Sequence, residues 1–197
     1  MSDSKNIALV FGISGGIGSN IYNQLKKKNF KVFGVSRATE NNSNILSEQY
    51  LKSLSLKLKE QNIKIKIIGN IAKFPVSLKR KLRKSEEATK KNTKIQINIA
   101  LNYGSREEIT NSMRKLKKLS LRINERNISK NLYTNNIPDP EILIRTGNTY
   151  RLSNFLLWQS SYTEIFFVKK LWPDFNKNDF NKILLKFSKI RRNFGGI

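Results

Sequence analysis

The chain has no cysteine and no histidine among its 197 residues, and only 14 acidic side chains stand against 38 lysines and arginines. Without cysteine there are neither disulfides nor thiolate metal sites. With histidine missing as well, zinc chemistry is excluded, and a cytoplasmic setting is the simplest fit. Long apolar runs are also absent. The stretch Ile7–Ile13 is too short to span a bilayer, and it lacks the charged leader and cleavage pattern of a secretory signal. The length is that of one ordinary domain, with enough chain to bury a core.

The shortage of acids leaves a formal charge of +24. Such an excess ordinarily points to nucleic acid. Here residues 1–44 hold six Lys/Arg and two Asp/Glu, and the remaining +20 is spread along the chain with no aromatic-rich basic tract. Nucleic acid is therefore not expected as a partner. A diffuse positive field instead attracts diphosphates and anionic bilayers, so peripheral contact with the inner face of a membrane is expected.

Hydrophobic period divides the chain into alternating strands and helices. Ile7 to Phe11, a glycine loop, a helix through Leu25 and Lys31 to Val35 make a strand-loop-helix-strand unit, half of a mononucleotide fold. Its loop, GISGGIG, offers Gly12, Gly15, Gly16 and Gly18 as a phosphate-binding turn resembling that of short-chain dehydrogenases, with Arg37 after the second strand. The same glycines also suit a plain tight turn. Thr39 to Asn44 reads as a linker, which sets residues 1–44 apart from 45–197. Leu46, Tyr50, Leu51, Leu54 and Leu58 share one helical face. Ile63, Ile65 and Ile67 then alternate as a strand with Lys64 and Lys66 turned outward. Pro75 opens a helix bearing Leu78 and Leu82, and Ile95, Ile97 and Ile99 form another strand. Ser105 and Glu108 have capping-box spacing at the start of a further helix. Glu164 to Val168 reads as a strand and Leu171 to Phe175 as a turn. Phe180, Ile183, Leu184, Phe187 and Ile190 make a final amphipathic helix. This alternation predicts an α/β fold with a mainly parallel central sheet and helices on both faces.

The stretch Ile137 to Gln159 carries the strongest chemical signal. Ile142 to Ile144 is a short buried strand that stops at Arg145-Thr146-Gly147, which places Arg145 at a carboxyl edge. Ligands of open α/β sheets bind beyond those edges, and a guanidinium grips phosphate oxygens bidentately. Arg151 and Ser153 follow within one loop. Ser153 fits as the N-cap of a helix over Asn154 to Ser161, where its hydroxyl and the free N–H groups would share an anion. On these residues alone, a solvated loop arginine and a simple cap are the readings to back.

Three blocks weight the choice: Ile67 to Phe74 with Arg83-Lys84-Ser85-Glu86, then Asn98 to Arg106, then Leu143 to Phe175 with its LIRTG, RLSNFLLWQ, YTEIFF and LWPDF. In order and spacing they resemble the cis-prenyltransferases, the undecaprenyl diphosphate synthase family, from about Leu46 to the C-terminus. The resemblance implies an undecaprenyl diphosphate synthase-like fold and condensation of isopentenyl diphosphate with an allylic diphosphate to a polyprenyl diphosphate. It gives Arg145, Arg151 and Ser153 the isopentenyl diphosphate and Glu164 a share of a Mg²⁺ ion, in a homodimer or heterodimer. Departures are specific. The N-terminal motif with the family's catalytic Asp is missing, with Gly12 near its place, so the catalytic residue is unknown and impaired extension is expected. Asn148 and Thr149 stand where Gly and Glu are common, and Asn193 stands where a C-terminal Arg is usual, with Arg192 one position earlier.

Two other functional readings exist, and a fusion of two gene fragments would explain why a dehydrogenase-like glycine loop adjoins a prenyltransferase-like body. An NADP-dependent short-chain reductase rests on the first 40 residues, but Tyr22 to Lys26, which has the Tyr-x-x-x-Lys spacing, lies on the first helix, in the wrong place for chemistry. A non-catalytic partner subunit of a prenyltransferase would account for the missing Asp.

Overall fold

The computed structural model describes residues 8–12, 31–35, 58 and 60–193. Its elements run β1 (Ala8–Gly12), β2 (Lys31–Val35), β3 (Ile63–Ile68), α1 (Val76–Thr89), β4 (Ile95–Ala100), α2 (Ser105–Lys118), α3 (Glu125–Asn131), β5 (Ile142–Thr146), β6 (Glu164–Val168) and α4 (Lys177–Phe187). All strand pairs are parallel, in two ladders ordered β1-β2-β4-β3 and β5-β6. β1 also lies beside β5, so the ladders adjoin there. The fold is the α/β class with a parallel sheet expected from the alternating pattern.

Side-chain period explains the core. Ile63, Ile65, Ile95, Ile142 and Ile144 share one cluster with Trp172, Phe175, Phe180 and Ile183, so α4 closes that face of the sheet. Residues of opposite parity, Ile68, Ala100 and Leu143, join Ile137 and Leu156 on the other face. Leu58, the described end of the apolar face begun at Leu46, is buried in the first cluster. The rest of that expected helix lies outside the described residues. Lys66 departs from its expected outward place. Its ammonium donates to the Asn135 carbonyl at 3.1 Å, and burial, then the neighbouring Lys64 charge, lowers its pKa against the opposing pull of Glu86.

β3 ends its ladder, and an unpaired strand edge needs either partners or cover. α1 supplies both. The Ile65 N–H donates to Thr89 Oγ1 at 3.0 Å and the Ile67 N–H to Glu86 Oε1 at 2.8 Å, so two side chains of one helix face continue the hydrogen bonding of the sheet. Thr89 is fully buried and passes its own proton to the Ser85 carbonyl at 2.9 Å.

Two local expectations fail for one reason, tertiary competition for the polar groups. Ser105 and Glu108 do not form a capping box. Gly104 is the N-cap, and both side chains are buried and engaged elsewhere. Residues 154–161 form successive turns rather than a helix. The short α3 has no counterpart in the periodic pattern; Asn124 caps it by accepting from the Asn127 N–H at 2.8 Å.

Replacing Thr89 with valine keeps the shape but strands the Ile65 N–H in the interior. The expected cost is about 1–3 kcal/mol, read as a lower denaturation midpoint at an unchanged slope in urea.

Candidate functional site

The carboxyl end of β5 turns sharply at Gly147 (φ 91°) and Asn148 (φ 52°), both left-handed. A glycine suits the first position because a side chain there would be strained. The turn is tied down by Gly147 N–H donating to the Lys170 carbonyl at 2.8 Å and Asn148 N–H donating to that of Val168 at 3.2 Å. Arg145, half-buried one residue before the strand ends, is aimed by the same turn. Its Nε donates to Thr149 Oγ1 at 3.0 Å.

The chain from there returns to the second core cluster under strain. Ser153 (φ 51°), Asn154 (φ 61°) and Leu156 (φ 46°) all adopt the left-handed conformation, which costs a non-glycine residue of order 1 kcal/mol or more. What holds them is α2. Ser105 N–H donates to the Asn154 carbonyl and Arg106 N–H to Asn154 Oδ1, both at 2.8 Å, so one asparagine satisfies two of the free donors opening that helix. Ser105 Oγ in return accepts from the Leu157 N–H at 3.0 Å, and Leu156 is fully buried in the second core cluster. Ser153 therefore caps no helix, and the anion site expected at Asn154 is instead a protein cap on α2. The Ser153 hydroxyl and the Arg151 guanidinium are exposed on the loop that leaves Arg145.

Beneath this loop lies a buried carboxylate. Glu108, 2% exposed, accepts from the Tyr103 hydroxyl, from the Tyr133 N–H at 2.7 Å and from Gln159 Nε2 at 3.2 Å. Gln159 also donates to Thr134 Oγ1 at 2.9 Å. Four segments are thus joined through one side chain. Burial first, then the Glu108 hydrogen bond and charge, raise the Tyr103 phenol far above its ordinary pKa. The turns after β3 and β4 are cross-linked as well: Asn102 Nδ2 donates to the Asn70 carbonyl at 2.8 Å and Asn70 Nδ2 to Glu107 Oε1 at 2.6 Å.

Glu164 sits elsewhere. It opens β6 and registers with Ile142, whereas Arg145 registers with Phe167, so three residues, roughly 10 Å of strand, separate them. The neighbouring carboxylate, Glu141, is taken by Arg192 Nη1 at 2.7 Å, while Arg192 Nη2 donates to the Tyr162 carbonyl at 2.9 Å. Arg192 is committed within its own chain. Among the described residues no three acidic, histidine or cysteine side chains gather to hold a metal. Among the described residues Glu164 therefore stands as a single hard carboxylate, three residues along the strand from the register of Arg145. Of the glycine loop, Gly12 ends β1; Gly15, Gly16 and Gly18 lie outside the described residues.

Comparison with known families decides the affiliation. Residues 35–195 match the prenyltransferase model that describes undecaprenyl diphosphate synthases. The chain belongs to this family. It is 43% identical over 150 residues to an isoprenyl transferase of Rickettsia prowazekii, a match covering 74% of this chain and 65% of the relative. An isoprenyl transferase of Oceanobacillus iheyensis is 38% identical over 159 residues, 77% of this chain and 63% of that protein. The chain thus spans just under two thirds of the length of these curated relatives. Among solved structures, a probable undecaprenyl diphosphate synthase from Campylobacter jejuni superposes with TM-score 0.82 at 28% identity, covering 100% of both chains. Lavandulyl diphosphate synthase from Lavandula x intermedia, in complex with dimethylallyl diphosphate, gives 0.75 at 26%, covering 98% of each.

Within the prenyltransferase family pattern, Thr149 takes the place of a common Glu, and here its hydroxyl is what orients Arg145. Sequence reasoning singled out the arginines and Ser153 but missed Thr149, Asn154 and Glu108 as the groups that position them. Only Glu108 left a trace, a charged residue at a buried helical position.

Because the Tyr103 pKa is raised in the fold, the stability it lends is whole below the ordinary phenol range and is lost as pH rises above it. Tyr103→Phe is expected to cost about 1.5–3 kcal/mol at neutral pH, the scale of a hydrogen bond to a charged group. It should also flatten the fall in stability above about pH 10, measured by denaturant titration across that range.

Proposed function

We propose that the chain is a cis-prenyltransferase whose loop after β5 holds the diphosphate of isopentenyl diphosphate through Arg145, Arg151 and Ser153, beside an allylic diphosphate, and that its chain extension is impaired. The observation that carries the reading is the construction of that loop: a half-buried guanidinium oriented by Thr149 at a parallel strand's carboxyl end, followed by strained backbone that leaves Arg151 and Ser153 outward. Strain of this kind persists where surrounding structure enforces it and concentrates at ligand clamps. Two guanidinium groups and a hydroxyl supply the positive charge and the N–H and O–H donors that a diphosphate end takes up.

The impairment rests on chemistry. Ionising an allylic diphosphate demands stabilisation of the departing pyrophosphate, and the family's N-terminal Asp has Gly12 near its position. Magnesium enters only as the ion that accompanies diphosphates, with Glu164 as its candidate carboxylate. The outer face of β6, with Ile165, Phe167 and Tyr150 exposed and the last two rings 5.2 Å apart, is the candidate surface for pairing with a second copy. No described helix is long and apolar enough to cross a membrane, and the proposed lipid product calls for association at the bilayer surface.

Isothermal titration calorimetry with isopentenyl diphosphate tests the reading. Binding is expected, and Arg145→Ala or Arg151→Ala should each weaken it about 10- to 100-fold, as loss of a charge-assisted contact of about 1.5–3 kcal/mol implies. Absent binding, or binding indifferent to both substitutions, removes the assignment. With farnesyl diphosphate, Mg²⁺ and labelled isopentenyl diphosphate, weak or no extension is expected. Tight NADPH binding without diphosphate affinity would favour the reductase.

A further inference from the structure

The strand-end site occupies one end of α2; an unusual surface occupies the other. Leu119, Leu121 and Ile123 follow the helix and are 53%, 48% and 51% exposed, with Met113 at 40% on its last turns. Three of five successive residues thus show branched aliphatic side chains to solvent. Around them stand Arg114, Lys115, Lys117, Lys118 and Arg122, all exposed, and residues 109–124 contain no acidic residue. None of these cations forms an ion pair among the described residues.

The exposure is built into the backbone. Ser120 is left-handed (φ 51°), Leu121 N–H donates to the Leu116 carbonyl at 2.9 Å and Ser120 N–H to that of Lys117 at 3.1 Å, which is a complete Schellman closure of α2. The exit is fixed too. Asn127 Nδ2 donates to the Arg122 carbonyl at 2.7 Å and Asn124 caps α3. In such a closure the residue at Leu121 usually packs back on its helix. Here Leu116 is wholly buried while Leu121 remains half exposed. The loop holds its aliphatic side chains out on a fixed frame.

We propose that Leu119–Ile123 is a membrane-docking loop that enters the headgroup region of an anionic bilayer, with the surrounding lysines and arginines on the lipid phosphates. Cations alone would suit any polyanion, but a nucleic acid offers nothing to a cluster of aliphatic tips, and the loop contains no aromatic ring for stacking on bases. An apolar tip ringed by positive charge is the arrangement that a bilayer with anionic lipids rewards twice, by burial and by surface potential. The inference gives a surface to the bilayer association proposed above, and it does not depend on the diphosphate site.

Flotation of the full chain with phosphatidylcholine vesicles, with and without 30 mole per cent phosphatidylglycerol (roughly a physiological anionic fraction), tests it. Partitioning is expected to be at least about tenfold stronger with the anionic lipid and to fall about tenfold or more in Leu121→Ser/Ile123→Ser. Lys117→Gln/Lys118→Gln should lower it by about fivefold per charge. Leu121→Trp should show blue-shifted emission on the anionic vesicles only. Vesicle binding that ignores the serine substitutions, or a tryptophan at 121 that stays in water, overturns the proposal and leaves only a diffuse field. Loss of an oligomer in Leu121→Ser/Ile123→Ser with vesicle binding intact also overturns it, assigning the loop to a second copy. Isopentenyl diphosphate calorimetry on the same variant should be unchanged, which separates failure of this proposal from failure of the diphosphate assignment.

Discussion

The opening turn of α2 presents backbone N–H groups that no residue of the helix can satisfy. Asn154, far along the chain, supplies the acceptors with both its carbonyl and its side chain. Once that pairing is made, the rest of the loop has little freedom. Ser153 and Asn154 must turn left-handed to bring the carbonyl and the amide round together, Leu156 is driven into the core, and the polar groups before them are left on the outside. Two strong hydrogen bonds and a buried leucine offset several left-handed residues. The result is a rigid loop at the carboxyl end of β5 whose outward groups are cationic or hydroxylic.

Much of the architecture was legible because a parallel sheet buried on both faces writes a period of two. The isoleucines of β3 and β4 and the short apolar run of β5 fall where that period puts them, and α4 shows its helical stripe for the same reason. The failures come from segments whose local pattern is honest but outcompeted. A serine and an asparagine before Phe155-Leu156-Leu157-Trp158 look like a capped helix. Yet Leu156 and Trp158 are drawn into two different core clusters, and the Ser105 hydroxyl claims the Leu157 N–H. Ser105 and Glu108 have the spacing of a capping box, but the carboxylate is worth more at the junction of Tyr103, Tyr133 and Gln159 than at a helix end. α3 is only seven residues with a single buried side chain, Ile128, too little for a periodic signal.

The candidate site was legible in a different way. Nothing in the local pattern distinguishes Arg145 from an ordinary arginine after a strand; the family motif does. Structure adds what a motif cannot, the means of orientation. Thr149, standing where an acidic residue is common, accepts from the Arg145 Nε at 3.0 Å. The same logic of register separates Glu164 from the arginines. With Glu164 in register with Ile142 and its N–H donating to the Glu141 carbonyl at 3.0 Å, the carboxylate that opens β6 lies away from the β5 exit.

α2 connects the two proposed surfaces and keeps them apart. Its 14 residues span about 21 Å, from the end clamped by Asn154 to the closure at Ser120. A diffuse charge of +24 would by itself draw polyanions to every face of the molecule, so charge cannot be what assigns roles to the two ends. Shape and polarity do that. At the first end, the exposed Arg151 and Ser153 precede the asparagine that clamps the helix, a setting that suits the proposed diphosphate. At the other, the cations surround exposed leucine and isoleucine, and a phosphate bound there would leave those side chains in water. An anionic surface with hydrocarbon beneath it satisfies both components, so under the two proposals the same excess of lysine and arginine would serve a diphosphate at one end of this helix and a bilayer at the other.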